Sequence, residues 1–260
     1  MSNGKVGLEL TNGGQVARIN LAAPKANILD SLMILDLFET LNSLNGDGRL
    51  KLVLLGSEGP HFSFGASIEE HLPDQISRTL SQLRELLHAM LVVPAPTMAL
   101  VRGQCLGGGF ELALACDLMI AEESAQFGLP EIKLGVFPPA GAALLPLRVG
   151  ASRAAELVLT GTTWTAAQAH ESGLVHRVFA TGELLNGAEK WLESDFLPRS
   201  GPALRYAAQA ARRPLVSAVN RELSLLEELY LKELMRQPEA VEGLLAFLEK
   251  RQPRWMSGAA

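Results

Sequence analysis

The chain reads as an α/β protein. Three observations predict this. Short apolar runs of strand length alternate with stretches of helical period, an alternating hairpin opens the chain, and glycine-rich turns sit where strand passes to helix. With 260 residues and 48% hydrophobic content, the chain can bury a substantial core in one large domain or one domain with an appendage.

In order, "VGLEL" and "VARINL" alternate around Asn12-Gly13-Gly14 and predict a hairpin at a sheet edge. Ile34, Leu37, Phe38, Leu41 and Leu44 recur at helical spacing behind Asp30, a suitable N-cap. "KLVLLGS" (51–57) is apolar throughout, as a strand buried on both faces would be. Leu83, Leu86, Leu87, Met90 and Leu91 form a second helical stripe that stops before Pro94. "TMALVRG" (97–103) predicts a strand, Phe110 to Cys116 a helix, and "LMIAEES" another strand. Helices near 151–160 and 165–172 and a strand in "GLVHRVF" follow. Beyond about Arg199 the pattern is helical, with Ser200-Gly201-Pro202 as the junction. There is no internal repeat.

The net charge is −5, and no basic tract or basic–aromatic interleaving is present, which argues against a nucleic-acid partner. The longest apolar candidate, "MLVVPAPTMALV", is broken by Pro94 and Pro96, and the chain starts without the basic and apolar segments of a signal peptide. A cytoplasmic protein with no membrane association is expected. Cys105 and Cys116 lie in apolar sequence without ligand-like spacing to histidine and read as core residues in a reducing compartment.

Three stretches could carry chemistry. In "RGQCLGGGFELALACDL" the glycines Gly107–Gly109 follow a strand and open a helix, and a single acid, Glu111, stands among apolar residues. Unpaired N–H groups at a helix start attract an anion, and glycine lets a ligand reach the backbone. The spacing is neither the dinucleotide fingerprint nor a P-loop, and close strand-to-helix packing would ask for the same glycines. In "HFSFGASIEEHLP" (61–73), Gly65-Ala66-Ser67 is a second small-residue turn after a strand. If its N–H groups converged with those near Gly108, two donors would face one carbonyl oxygen as an oxyanion hole. In "AQFGLPEIKLGVFPPAG" (125–141), Glu131 precedes an apolar run. Two acids in one apolar pocket can split their pKa values and act as acid and base, although alone Glu131 has the makings of a surface residue. His61, His71, His88, His170 and His176 show neither HExxH spacing nor a nucleophile partner and read as structural or exposed, and no GxSxG is present.

Together these stretches resemble the crotonase superfamily, the enoyl-CoA hydratase/isomerase family. "LVRGQCLGGGFELALACDLMIAEESAQFGLPEIKLGVFPPAGA" is similar to its signature, and "PKANILD", "LTGTTWTAAQAHESGLVHRVF" and "EGLLAFLEKRQP" extend the likeness over nearly the whole chain. The resemblance implies a spiral core of ββα units over residues 1–199, holding the CoA and active sites, and a C-terminal helical trimerisation region over 200–260. It implies that the backbone N–H groups of Ala66 and Gly108 bind the thioester oxygen. It puts Glu111 where water is positioned and deprotonated, and Glu131 where a proton is given to carbon. Coenzyme A enters as part of the substrate, with no metal or prosthetic group. CoA contacts fall on Lys25, Ala26, Asn27, Ser67 and Ile68, and on Phe247 and Lys250 contributed by a neighbouring subunit in a trimer or a pair of trimers.

Within the family the chain departs from an ordinary fatty-acid hydratase. Ser67 stands where an Asp is common, the "KANILD" loop is short, and "PAGAALLPL" replaces a more polar segment. "PKANILD", "FSFGASIEEHLP" and "EGLLAFLEKRQPRW" resemble the hydratases of cyclohexa-1,5-diene-1-carbonyl-CoA in anaerobic benzoyl-CoA degradation. That likeness implies 1,4-addition of water to give 6-hydroxycyclohex-1-ene-1-carbonyl-CoA. A general short-chain enoyl-CoA hydratase and a non-catalytic CoA-binding scaffold on the same fold are the alternatives.

Overall fold

The computed structural model describes residues 4–255, so the last five residues of the expected helical region lie outside it. The predicted hairpin pairs β1 (Val6–Thr11) with β2 (Val16–Leu21) antiparallel across Asn12–Gly14, where Asn12, Gly13 and Gly14 all take positive φ. β2 continues in parallel register to β3 (Leu52–Ser57), β4 (Thr97–Val101), β6 (Leu118–Glu122) and β9 (Arg177–Phe179) in a six-stranded sheet with β1 at its edge. A parallel sheet needs cover on both faces, and the period-two alternation of its strands supplies apolar residues to both. Val53 and Leu55 point into the main core with α1 (Ser31–Ser43) and α2 (Ile76–Val92). Leu52 and Leu54 point the other way, into a second cluster with Leu184, Leu192 and Phe196 from α7 (Leu184–Trp191) and the turn after it.

α1 starts as predicted, with the Asp30 carboxylate accepting from Met33 N at 2.9 Å. The stretch 97–103 is not one strand. The chain turns at Gly103, where φ is +52° and a side chain would lie 2.3 Å from Pro60 O and 2.4 Å from His61 Nδ1. It re-emerges as β5 (Gln104–Leu106) in a separate three-stranded sheet with β7 (Gln126–Gly128) and β8 (Thr163–Thr165). This break carries the chain from the large sheet to the small one and aims it at the glycines.

α3 spans Gly108–Leu114, two residues earlier than the apolar pattern predicts, so Glu111 lies in its first turn. α4 (Pro139–Val149) and α7 were not anticipated. α5 (Ala151–Thr160) and α6 (Ala166–Glu171) match the expected helices. "GLVHRVF" yields only the three residues of β9. The C-terminal pattern gives α8 (Gly201–Ser217), a π-helical turn over Ala218–Leu223, α9 (Ser224–Lys232) and α10 (Pro238–Leu248). Tyr230, Ala240 and Leu244 from these helices pack with Ile76, Leu80 and Val136 in a third cluster, against the stretch that carries Glu131.

One buried ion pair ties α8 to the rest. Arg212, 1% exposed, donates through Nε to Asp117 Oδ1 at 2.8 Å and through Nη2 to Oδ2 at 2.5 Å. It also donates to the carbonyls of Val93 and Ala95, where α2 gives way to β4. Replacing one partner of such a pair leaves a buried charge uncompensated. Arg212→Met should therefore lower the free energy of unfolding by about 3–5 kcal/mol in a urea titration. An unchanged midpoint would show that the pair holds nothing.

Candidate active site

Two turns meet face to face. Residues 62–66 run between β5 and the loop before α1: Ser63 N donates to Gln104 O at 2.9 Å, Leu106 N to Ser63 O at 3.0 Å and Leu29 N to Gly65 O at 2.9 Å. Against them lie the three glycines, and each side chain they lack would have met something. A Cβ on Gly107 would lie 2.7 Å from Glu131 Oε1, one on Gly108 3.3 Å from Ala66 N, and one on Gly109 2.5 Å from Ser63 Cβ. Gly107 also has φ of +50°, which L side chains rarely adopt. Neither Ala66 N nor Gly108 N donates to a protein acceptor among the described residues. Gly108 N is the first N–H of α3, where the partial positive charge of a helix start collects.

Glu111 is 3% exposed, and Gly141 N, in the first turn of α4, donates to its Oε1 at 2.6 Å. α4 enters at Pro138-Pro139, with proline in its first turn, where the missing N–H costs nothing. Its other end returns to α3. Arg148 donates to Leu114 O at 2.7 Å and to Cys116 O, capping the carbonyls at the end of α3. The two helices thus fix both ends of the segment that carries Glu111.

Glu131 stands in a 3-10 turn over Pro130–Leu134, closed by Gly135 at φ +74°. The residue keeps some exposure, but its Oε2 is buried and has no hydrogen-bond partner. Burial raises both carboxyl pKa values above the ordinary 4.5, to about 7 for Glu111 and about 8 for Glu131. Beyond burial the causes diverge. Backbone N–H groups of Gly141 and Ala140 draw Glu111 back down, whereas the charge of Glu111 pushes Glu131 further up and only its own backbone N–H opposes this. The two carboxyls titrate as a pair, with the charged form better supported at Glu111.

Both carboxyls border a chamber of about 30 Å³, room for about one water, walled by Ala66, Gly108, Leu80, Leu83, Val136, Phe137, Pro138 and Pro139. His71 and Tyr230 complete it. Neither was singled out from the sequence. The only hints were the place of His71 in the same loop as Ala66 and a tyrosine on the apolar face of α9. His71 Nδ1 donates to Ser67 O at 2.7 Å, and burial lowers its pKa below the ordinary imidazole value.

Ala66 also borders an outer cavity of about 720 Å³, which Ala26, Ser67, Ile68 and Phe247 help to line. Lys25 and Lys250 are exposed and outside the lining, and the basic residues that do line it are Lys133 and Arg251. Phe247 lines the cavity of its own chain, because α10 folds back over the 130–134 turn, with Gly243 against Leu134 O. Asn27 is fully buried, and its amide is spent within the loop, accepting from Ala23 N and donating to the carbonyls of Glu58 and His61. It shapes the loop instead of presenting a side chain to a ligand. Ser67, in place of the common Asp, donates to Glu69 Oε2 at 3.0 Å.

The chain resembles known proteins in sequence and fold. The model of a family described as enoyl-CoA hydratase/isomerase matches residues 11–258. The chain belongs to the enoyl-CoA hydratase/isomerase family. It is 45% identical over 246 residues, 95% of each chain, to the cyclohexa-1,5-dienecarbonyl-CoA hydratase of Thauera aromatica. It is 36% identical to the 2,3-dehydroadipyl-CoA hydratase of Escherichia coli K12, covering 92% of this chain and 94% of that one. The crystal structure of an enoyl-CoA hydratase from Mycobacterium avium subsp. paratuberculosis K-10 superposes with a TM-score of 0.85 at 28% identity, over 97% of this chain and 98% of that one. The fold is that of the family, and the chain is a hydratase-type lyase. Among the described residues no helix is long and apolar enough to cross a membrane.

The raised pKa values carry a stability consequence. Each carboxyl stays protonated in the folded chain where the unfolded chain has already ionised. Stability is therefore full below the ordinary value of 4.5 and is lost as pH rises toward the folded values of about 7 and about 8. Glu131→Gln removes one of these groups. Its melting temperature relative to the parent should climb between about pH 5 and about pH 9. A difference that does not change with pH would mean that Glu131 ionises as freely in the folded chain as in the unfolded one.

Proposed function

We propose that the chain adds water to cyclohexa-1,5-diene-1-carbonyl-CoA, giving 6-hydroxycyclohex-1-ene-1-carbonyl-CoA. The observation that carries this reading is the pair of carboxyls on one apolar chamber, both with raised pKa values and with backbone N–H donors favouring charge on Glu111 over Glu131. The likeness to the Thauera enzyme and the apolar wall of Phe137, Pro138 and Pro139 support the ring as substrate.

The acyl group enters past Ala66 from the outer cavity, whose lining offers Lys133 to the CoA phosphates. The thioester oxygen accepts from Ala66 N and Gly108 N, and negative charge moves onto it as water attacks. One such donor is worth about 3–4 kcal/mol of transition-state stabilisation. Glu111 takes a proton from the water as its oxygen bonds to the ring carbon β to the thioester. The second double bond extends the resulting enolate, and Glu131 gives its proton to the far end of the former diene. Proton count and charge balance: Glu111 ends protonated and Glu131 ionised, and exchange with solvent resets the pair.

The division into a 1–199 core and a 200–260 helical region, and assembly as a trimer or a pair of trimers, belong to the same proposal. The exposed Leu147, Leu225 and Leu229 are apolar surface that such an assembly would cover.

Steady-state hydration of the diene beside crotonyl-CoA tests the reading. The diene should be strongly preferred, and Glu111→Gln or Glu131→Gln should each lower kcat about 10²–10⁴-fold. Preference for crotonyl-CoA would favour the linear substrates suggested by the Escherichia coli relative. Unchanged function in both variants would point to a scaffold. In heavy water, deuterium found only at the carbon α to the thioester would contradict proton delivery to the distal carbon.

A further inference from the structure

Tyr230 is 1% exposed, and its hydroxyl is buried without a hydrogen-bond partner. A buried hydroxyl left unpaired is costly, and phenylalanine would fill the same space without that cost. Packing accounts for the ring, which lies 5.4 Å from the ring of Phe137, and leaves the hydroxyl unexplained. The space it borders does explain it. Tyr230, Glu111 and Glu131 wall the same chamber, which has room for about one water, and Glu131 Oε2 is the second buried oxygen there without a partner. An oxygen atom in that space has Glu111, Glu131 and Tyr230 around it as lining residues.

We propose that the Tyr230 hydroxyl donates a hydrogen bond to the oxygen atom that the reaction adds to the acyl group. The inference rests on the hydratase reading and adds a third polar contact to it. Burial and then the charges of Glu131 and Glu111 raise the phenol pKa above its ordinary value, so the group serves as a donor and not as a base. In hydration the donated bond occupies one lone pair of the water and turns the other toward the carbon. A proton goes to Glu111, the new C–O bond forms, and the phenol keeps its own proton throughout. In dehydration the same bond stabilises the departing oxygen. The contact therefore acts on the transition state in both directions and on the hydroxylated product, and it has nothing to bind in an acyl group that lacks the oxygen.

Tyr230→Phe removes one atom that makes no bond within the protein, so the melting temperature should hold or rise. Calorimetric titration should compare 6-hydroxycyclohex-1-ene-1-carbonyl-CoA with cyclohex-1-ene-1-carbonyl-CoA, which lacks only the hydroxyl. The variant should lose about tenfold in affinity for the hydroxylated thioester and nothing for the other. Its kcat for the diene should fall by about 10–100-fold at unchanged KM. An unchanged affinity ratio between the two thioesters would overturn the proposal, even if turnover fell. Parent enzyme that hydrates neither diene nor crotonyl-CoA would defeat the hydratase reading instead, and the titration would still decide whether Tyr230 reads the hydroxyl.

Discussion

The backbone of residues 107–109 lies against residues 63–66 and Glu131: a side chain on Gly109 would collide with Ser63, one on Gly107 with Glu131, and one on Gly108 would crowd Ala66. Most of the site depends on this contact. Small residues on one turn would be of no use if the other were not held still, and Ser63 does much of the holding. Its backbone pairs with β5 and its hydroxyl donates to Asn27 O at 2.7 Å while accepting from Gly65 N at 3.0 Å. The buried amide of Asn27 fixes the loop beneath in turn. Two N–H groups without acceptors among the described residues are thereby set on adjoining backbone turns, where the proposed oxygen would meet donors that need no reorganisation.

Around that backbone cradle, the electrostatics come from helix ends. α3 begins at the cradle, and α4 begins at Glu111, so two positive helix termini face one small volume. The first favours negative charge on a ligand, and the second favours it on Glu111. Glu131 receives no such help at Oε2 and feels the charge of Glu111. Two chemically identical side chains share one chamber but not the same donors: backbone N–H groups favour charge on Glu111, and the charge of Glu111 disfavours it on Glu131.

Where local pattern and burial agree, the sequence was legible. The Asp30 cap, the continuous apolar run of β3 and the stripe of α2 were read directly, because each element signals its own burial. The order of the glycine turn, Glu111 and Glu131 was legible through family resemblance, while the reason for three consecutive glycines needed the facing atoms. α4 was missed because proline at both Pro138 and Pro139 reads as a break, although proline in a helix's first turn is favourable. The small sheet was missed because its three-residue strands carry too little period to register. Lys25 and Lys250 were named on motif position, and exposure on a loop is decided by tertiary placement that a motif does not contain. Tyr230 lies about a hundred residues from Glu131 and reaches it only through the fold-back of the C-terminal helices.

The central claim is that the N–H groups of Ala66 and Gly108 polarise the thioester carbonyl. Isotope-edited infrared spectroscopy of a thioester labelled with ¹³C at that carbonyl, free and bound to the protein, tests it most directly. Two donors on the oxygen should move the bound carbonyl stretch to clearly lower frequency than in water. A bound stretch at or above the value in water would mean that the two turns do not grip the oxygen, and the close contact of their backbones would then be packing alone.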